Sequence, residues 1–82
     1  MPTFEYCVCQ VQVSKVTFVD GEWTGDGTPQ SAMQSPDPYA GCPDVWTHLG
    51  TLGAQGWELV TAAPRGGTSA VELLYLKRVV QG

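Results

Sequence analysis

Only one stretch of this chain carries a helical period. Within residues 43–55 the apolar side chains Val45, Leu49 and Leu52 recur at i, i+4 and i+7, the spacing of a single buried stripe. Pro43 suits a first turn, Asp44 complements the positive end of the helix dipole, and Gly56 is placed to end the helix as a left-handed cap. Gly50 and Gly53 inside the segment each cost up to about 1 kcal/mol relative to Ala, so tertiary packing has to hold this helix. A chain with a single helix can cover only one face of whatever sheet the remainder forms.

The remainder reads as strands. Residues 4–13 alternate, with Phe4, Tyr6 and Val8 on one side and Cys7, Cys9, Val11 and Val13 on the other; Gln10 and Gln12 make the first side wetter towards its end. Residues 16–19 continue as strand. Asp20-Gly21 and then Glu22-Trp23-Thr24 follow, and Asp-Gly between strand-like runs signals a type I′ hairpin. Residues 57–63 form another strand, stopped by Pro64. Residues 71–80 form the last, with Val71, Leu73 and Tyr75 on one face and Leu74 and Leu76 on the other. The expected fold is a single α+β domain, an antiparallel sheet of three to four strands with one helix packed on one face.

Both faces of this sheet carry apolar residues, and the helix can bury only one. An uncovered apolar face is costly in water and marks an interface. Charged residues are only 15% of the 82, well below the roughly 25% typical of soluble domains, which points the same way. A chain this short also keeps little stability in reserve. The expectation is a homo-oligomer, with a two-fold dimer as its simplest form.

The net charge of −4 and the mere four cations, Lys15, Arg65, Lys77 and Arg78, exclude the basic cluster that nucleic acid or an anionic membrane surface would need. No apolar run approaches the roughly 20 residues of a membrane span, and no secretory leader is read at the N-terminus. Three cysteines cannot all pair within one chain. Cys7, Cys9 and Cys42 are therefore read as reduced thiols of a cytoplasmic protein.

Between residues 25 and 43 the periodicity disappears among Gly, Pro, Ser, Thr and Asp. A stretch of this length without secondary structure is either functional or mobile. It reads as a mobile surface insertion; the alternative is a lid carrying Met33 and Tyr39.

The run Leu49-Gly50-Thr51-Leu52-Gly53-Ala54-Gln55-Gly56-Trp57-Glu58-Leu59-Val60, followed by Tyr75-Leu76-Lys77-Arg78, resembles the domain-of-unknown-function family 4177, a family of short bacterial proteins. Phe4-Glu5-Tyr6-Cys7-Val8 is similar to the family's opening strand, with Cys7 where a Lys is common. The resemblance spans most of the chain except residues 25–43, which stand as an insertion. It implies a fold but no established activity, cofactor or catalytic residue. It also leaves the motif a structural role: Gly56 for the cap, Trp57 for anchoring sheet to helix, Lys77 and Arg78 for solubility.

Few groups are available for chemistry. His48 is the only histidine, which leaves little for a metal site or a catalytic triad. A Cys42–His48 nucleophile pair and a zinc set of Cys7, Cys9, Cys42 and His48 are weighed against plain core roles; the Cys-x-Cys spacing on a straight strand suits zinc poorly. Arg65-Gly66-Gly67-Thr68-Ser69 reads as a turn, or as a nest of amides for an anion. Glu5, Glu22, Glu58 and Glu72 are scattered. Trp46 lies roughly in line with Gly50 and Gly53, a bare helix strip with an aromatic at one end, which suits partner or ligand contact; the alternative is packing on the long loop or on Trp23. The contact residues expected are thus Trp46, Gly50, Gly53, Tyr39 and Arg65, with no catalytic residue, metal or cofactor. The expected function is a non-enzymatic, homo-oligomeric binding or interaction module. The alternative is a small-ligand binding or sequestering protein whose pockets lie at the oligomer interface and are closed by residues 25–43.

Overall fold

The computed structural model describes residues 2–66 and 70–80. Five strands form one antiparallel sheet: β1 (Phe4–Gln12), β2 (Lys15–Val19), β3 (Glu22–Trp23), β4 (Glu58–Pro64) and β5 (Val71–Val79), in the spatial order β3-β2-β1-β5-β4. The fold is α+β as expected, but with five strands where three to four were read. The difference arises in residues 13–24. Val13 and Ser14 take φ of 51° and 61° and fold β2 back on β1 through a two-residue turn joining the paired Gln12 and Lys15. Val13, expected on the apolar stripe, sits in that turn and is 78% exposed. The Asp20-Gly21 hairpin forms as read, with φ of 50° and 84° and Val19 paired to Glu22.

The register sorts the side chains. Cys7, Cys9 and Val11 of β1 face the same way as Leu76 and Leu74 of β5 and, past a bulge, Val16 of β2. With Leu52 they make the buried core, and Val19, Val45, Leu49 and Trp57 pack around it. This core holds few residues for a whole domain, so each carries a large share of the stability.

The helix, α2 (Val45–Ala54), covers this core. It starts two residues later than read: Pro43 precedes the cap, and Asp44 is the N-cap without a side-chain capping bond. Its first turn is fixed to β2 instead. Val16 N–H donates to the Pro43 carbonyl and Val45 N–H to the Ser14 carbonyl, each at 2.9 Å, and Lys15 Nζ meets Asp44 Oδ1 at 2.8 Å. At the other end Gly56 N–H donates to the Gly53 carbonyl and Trp57 N–H to the Leu52 carbonyl, both at 3.0 Å. With Gly56 at φ 92°, this is a Schellman cap. Arg78 pins the same end: it pairs with Glu5, donates to the Gln55 carbonyl at 3.1 Å and lies 4.5 Å over the Trp57 ring.

The glycines of this helix separate two physical effects. At Gly56, Gly50 and Gly53 an added Cβ would meet nothing within 4 Å. Gly56→Ala is expected to cost about 1–2 kcal/mol from its positive φ alone. Gly50→Ala and Gly53→Ala are expected to stabilise by up to about 1 kcal/mol each, because only helix propensity changes. Urea melts of the three variants check the opposite signs.

Residues 25–43 contain a second, four-residue helix, α1 (Pro29–Ala32), closed by a reciprocal capping box between Thr28 and Ser31. The segment runs along the outer edge of β2. Thr24 N–H donates to the Thr17 carbonyl, Pro43 accepts from Val16, and Lys15 bridges to Asp44. Tyr39 Oη receives a 3.0 Å hydrogen bond from Gln12 Nε2. No described helix is long and apolar enough to cross a membrane.

Candidate functional site

The side of the sheet away from α2 carries no helix, but Tyr39 of residues 25–43 reaches its Gln12 end, where Thr17 is fully buried. By register it presents Phe4, Tyr6, Val8, Gln10 and Gln12 of β1, with Val79, Lys77, Tyr75, Leu73 and Val71 opposite them on β5. Phe18 of β2 and Trp23 of β3 extend it, their rings edge to face at 5.4 Å. Tyr6 is 66% exposed, Val79 46%, Phe4 40% and Tyr75 37%. Lys77 Nζ stands 4.8 Å over the Phe4 ring.

Near the β1–β2 side of this face a depression of about 490 Å³ is lined by Val8, Gln10, Phe18 and Leu73 of the sheet, with Gln10 paired between Phe18 and Leu73, and by Gly21 and Arg65. Arg65 comes from the turn after β4 and donates from Nη1 to Gln10 Oε1 at 2.7 Å. Gln10 Nε2 donates to Gln12 Oε1 at 2.9 Å, which also accepts from Thr17 Oγ1 at 2.9 Å. Gln12 Nε2 in turn donates to Tyr39 Oη. A line of side-chain hydrogen bonds therefore runs from Tyr39 to Arg65 across the open face, and each amide is oriented by the next.

The five expected contact residues thus fall into two places. Tyr39 and Arg65 are the ends of the polar line on the open face. Trp46, Gly50 and Gly53 lie on the solvent side of α2, with Trp46 65% exposed. Trp46 does not stack on Trp23, whose ring packs on Phe18. The residues linking Tyr39 to Arg65, namely Gln10, Gln12 and Thr17, were not singled out. The signal available was the i, i+2 placement of the two glutamines on the face of Tyr6 and Val8. The nest expected at residues 65–69 lies partly outside the described residues.

The thiols behave as core groups. Cys7 and Cys9 lie with their Sγ atoms 3.9 Å apart in the core, and Cys42 is buried elsewhere. Burial pushes the Cys7 thiol above its ordinary value, and burial together with Cys7 pushes Cys9 up to about 12. Both therefore stay protonated and weakly nucleophilic. Among the described residues no cluster of three or more His, Cys, Asp or Glu is placed to hold a metal, and no hydrogen bond joins Cys42 to His48.

His48 Nε2 is buried with no hydrogen-bond partner among the described residues, and burial lowers its pKa. The unfolded chain takes up this proton at the ordinary value of 6.5, whereas the folded chain does so only at lower pH. The unfolded state then binds more protons below that value, and stability falls as pH drops. Between about pH 7.5 and 5.5 the protein is expected to lose stability, and His48→Leu to flatten that loss. Urea midpoints at the two pH values measure it; equal pH dependence in both proteins would contradict the assignment.

Fold and site together define an α+β domain of one antiparallel sheet and a helix, with Phe4, Tyr6, Tyr75 and Val79 exposed on the other sheet face. Comparison of the chain with protein-family models, curated proteins and solved structures finds no match.

Proposed function

We propose that this chain is a non-enzymatic interaction module that assembles with a second copy of itself through its open sheet face. The single observation carrying this reading is the uncovered row of Phe4, Tyr6, Tyr75 and Val79 opposite the helix.

Stacking of faces is favoured over pairing of edges. The outer edge of β2 is occupied by β3, Thr24 and Pro43. The opposite edge, β4, carries a bulge between Leu59 and Thr61 and ends in Pro64, two devices that discourage strand addition. Two of its strand charges, Lys77 and Glu58, sit directly opposite each other and offset one another. A cytoplasmic location and membership in the family that the Leu49–Val60 run resembles belong to the same proposal. That run forms the helix cap and the start of β4 here, so its residues have structural work to do whatever the partner.

Native mass spectrometry of the untreated protein tests the reading. Twice the 8.8 kDa chain mass is expected. The chain mass alone, at concentrations of tens of micromolar, would overturn it.

A further inference from the structure

We infer that the depression under Arg65 is a binding site for a small monocarboxylate with an apolar body. Its volume of about 490 Å³ falls within the range of small-molecule sites, which pair an apolar lining with a few placed polar groups. The apolar part of the lining is Val8, Phe18 and Leu73, with the Gln10 amide set between Phe18 and Leu73, and the placed charge is the Arg65 guanidinium. Among the described residues the ion pairs are Lys15–Asp44 and Arg78–Glu5, so Arg65 carries a charge that no described carboxylate meets.

Its position is fixed by a neutral partner. Gln10 Oε1 accepts one of the five guanidinium N–H bonds at 2.7 Å, and no other described side chain accepts from Arg65. Gln10 is itself held by Gln12, and Gln12 by Thr17 and Tyr39. An arginine oriented in this way beside the apolar Val8, Phe18 and Leu73 side chains matches a carboxylate head on a short aromatic or aliphatic body. A phosphate ester would leave these side chains unused, and a neutral apolar molecule would leave the guanidinium unanswered. The site lies wholly on one chain and does not require the second copy, although a copy on the open face would roof it.

Amide-resolved NMR titration of the full chain with sodium benzoate and sodium hexanoate tests this, with benzamide as the uncharged control. Addition to about 10 mM would occupy most of a site with a millimolar Kd. Shifts concentrated at Val8, Gln10, Gly21 and Leu73 are expected, with at least about tenfold weaker binding for benzamide and for Arg65→Gln, which loses the charge-assisted pair. Absence of shifts, or equal response of Arg65→Gln or of benzamide, would overturn the inference. The mass of Arg65→Gln, measured alongside, separates this outcome from failure of the dimer.

Discussion

Leu76→Ala is expected to destabilise the protein by about 3 kcal/mol, in the lower half of the range for emptying a buried leucine site. Leu76 is 2% exposed and lies on the helix side of β5, directly opposite Cys7 of β1 and Leu59 of β4. The core around it consists of Cys7, Cys9, Val11, Val16, Leu52 and Leu74, too small a group to spread over the cavity without loss. A chain of 82 residues has a total stability of about 4–12 kcal/mol, so this one change removes a quarter or more of it. At about 4–8 °C per kcal/mol the midpoint of thermal unfolding falls by roughly 12–24 °C. Leu59, its cross-strand neighbour, is 48% exposed because α2 does not reach over β4. Leu59→Ala is therefore expected to cost less than about 1 kcal/mol. Similar losses in the two variants would mean that the core is not where the register places it.

Tyr6→Glu is expected to separate the two copies while leaving each folded. Tyr6 is 66% exposed on the open face, opposite Lys77, so the new carboxylate finds a cross-strand partner in the isolated chain. In a stacked dimer the same carboxylate would be taken out of water, and an aromatic contact would be lost with it. Aromatic anchors of this kind contribute about 2–4 kcal/mol to association, so the dimer Kd should rise by roughly 30- to 1,000-fold. Trp46→Ala, on the far side of α2, is expected to leave assembly unchanged. If Trp46→Ala dissociates the protein and Tyr6→Glu does not, the helix strip of Trp46, Gly50 and Gly53 is the contact surface instead.

How much of this was legible in the sequence varies with the kind of signal each segment carries. Strict alternation in residues 4–12 placed Cys7, Cys9 and Val11 on the core side, and the Asp20-Gly21 pair announced its hairpin by residue type alone. Gly56 was readable as a cap because few other residues accept φ of 92°. The turn at Val13-Ser14 was not readable: a β-branched residue at φ 51° is held there by the pairing of β1 with β2, which no local preference for this conformation announces. That missed turn accounts for the undercounted strands. The candidate site divides along the same line. Tyr39 stood out as a large side chain in a segment without periodicity, and Arg65 as the cation opening a Gly-rich turn. The glutamines that join them are 55 and 27 residues away along the chain, and their hydrogen bonds exist only once the sheet is assembled.

The central claim, that the open face is where a second copy docks, is tested most directly by sedimentation equilibrium of the unmodified protein and of Tyr6→Glu side by side. At tens of micromolar the unmodified chain is expected to sediment at twice 8.8 kDa and the variant at 8.8 kDa, with matching circular dichroism showing that both are folded. A mass of 8.8 kDa for both, or the doubled mass for both, would contradict it.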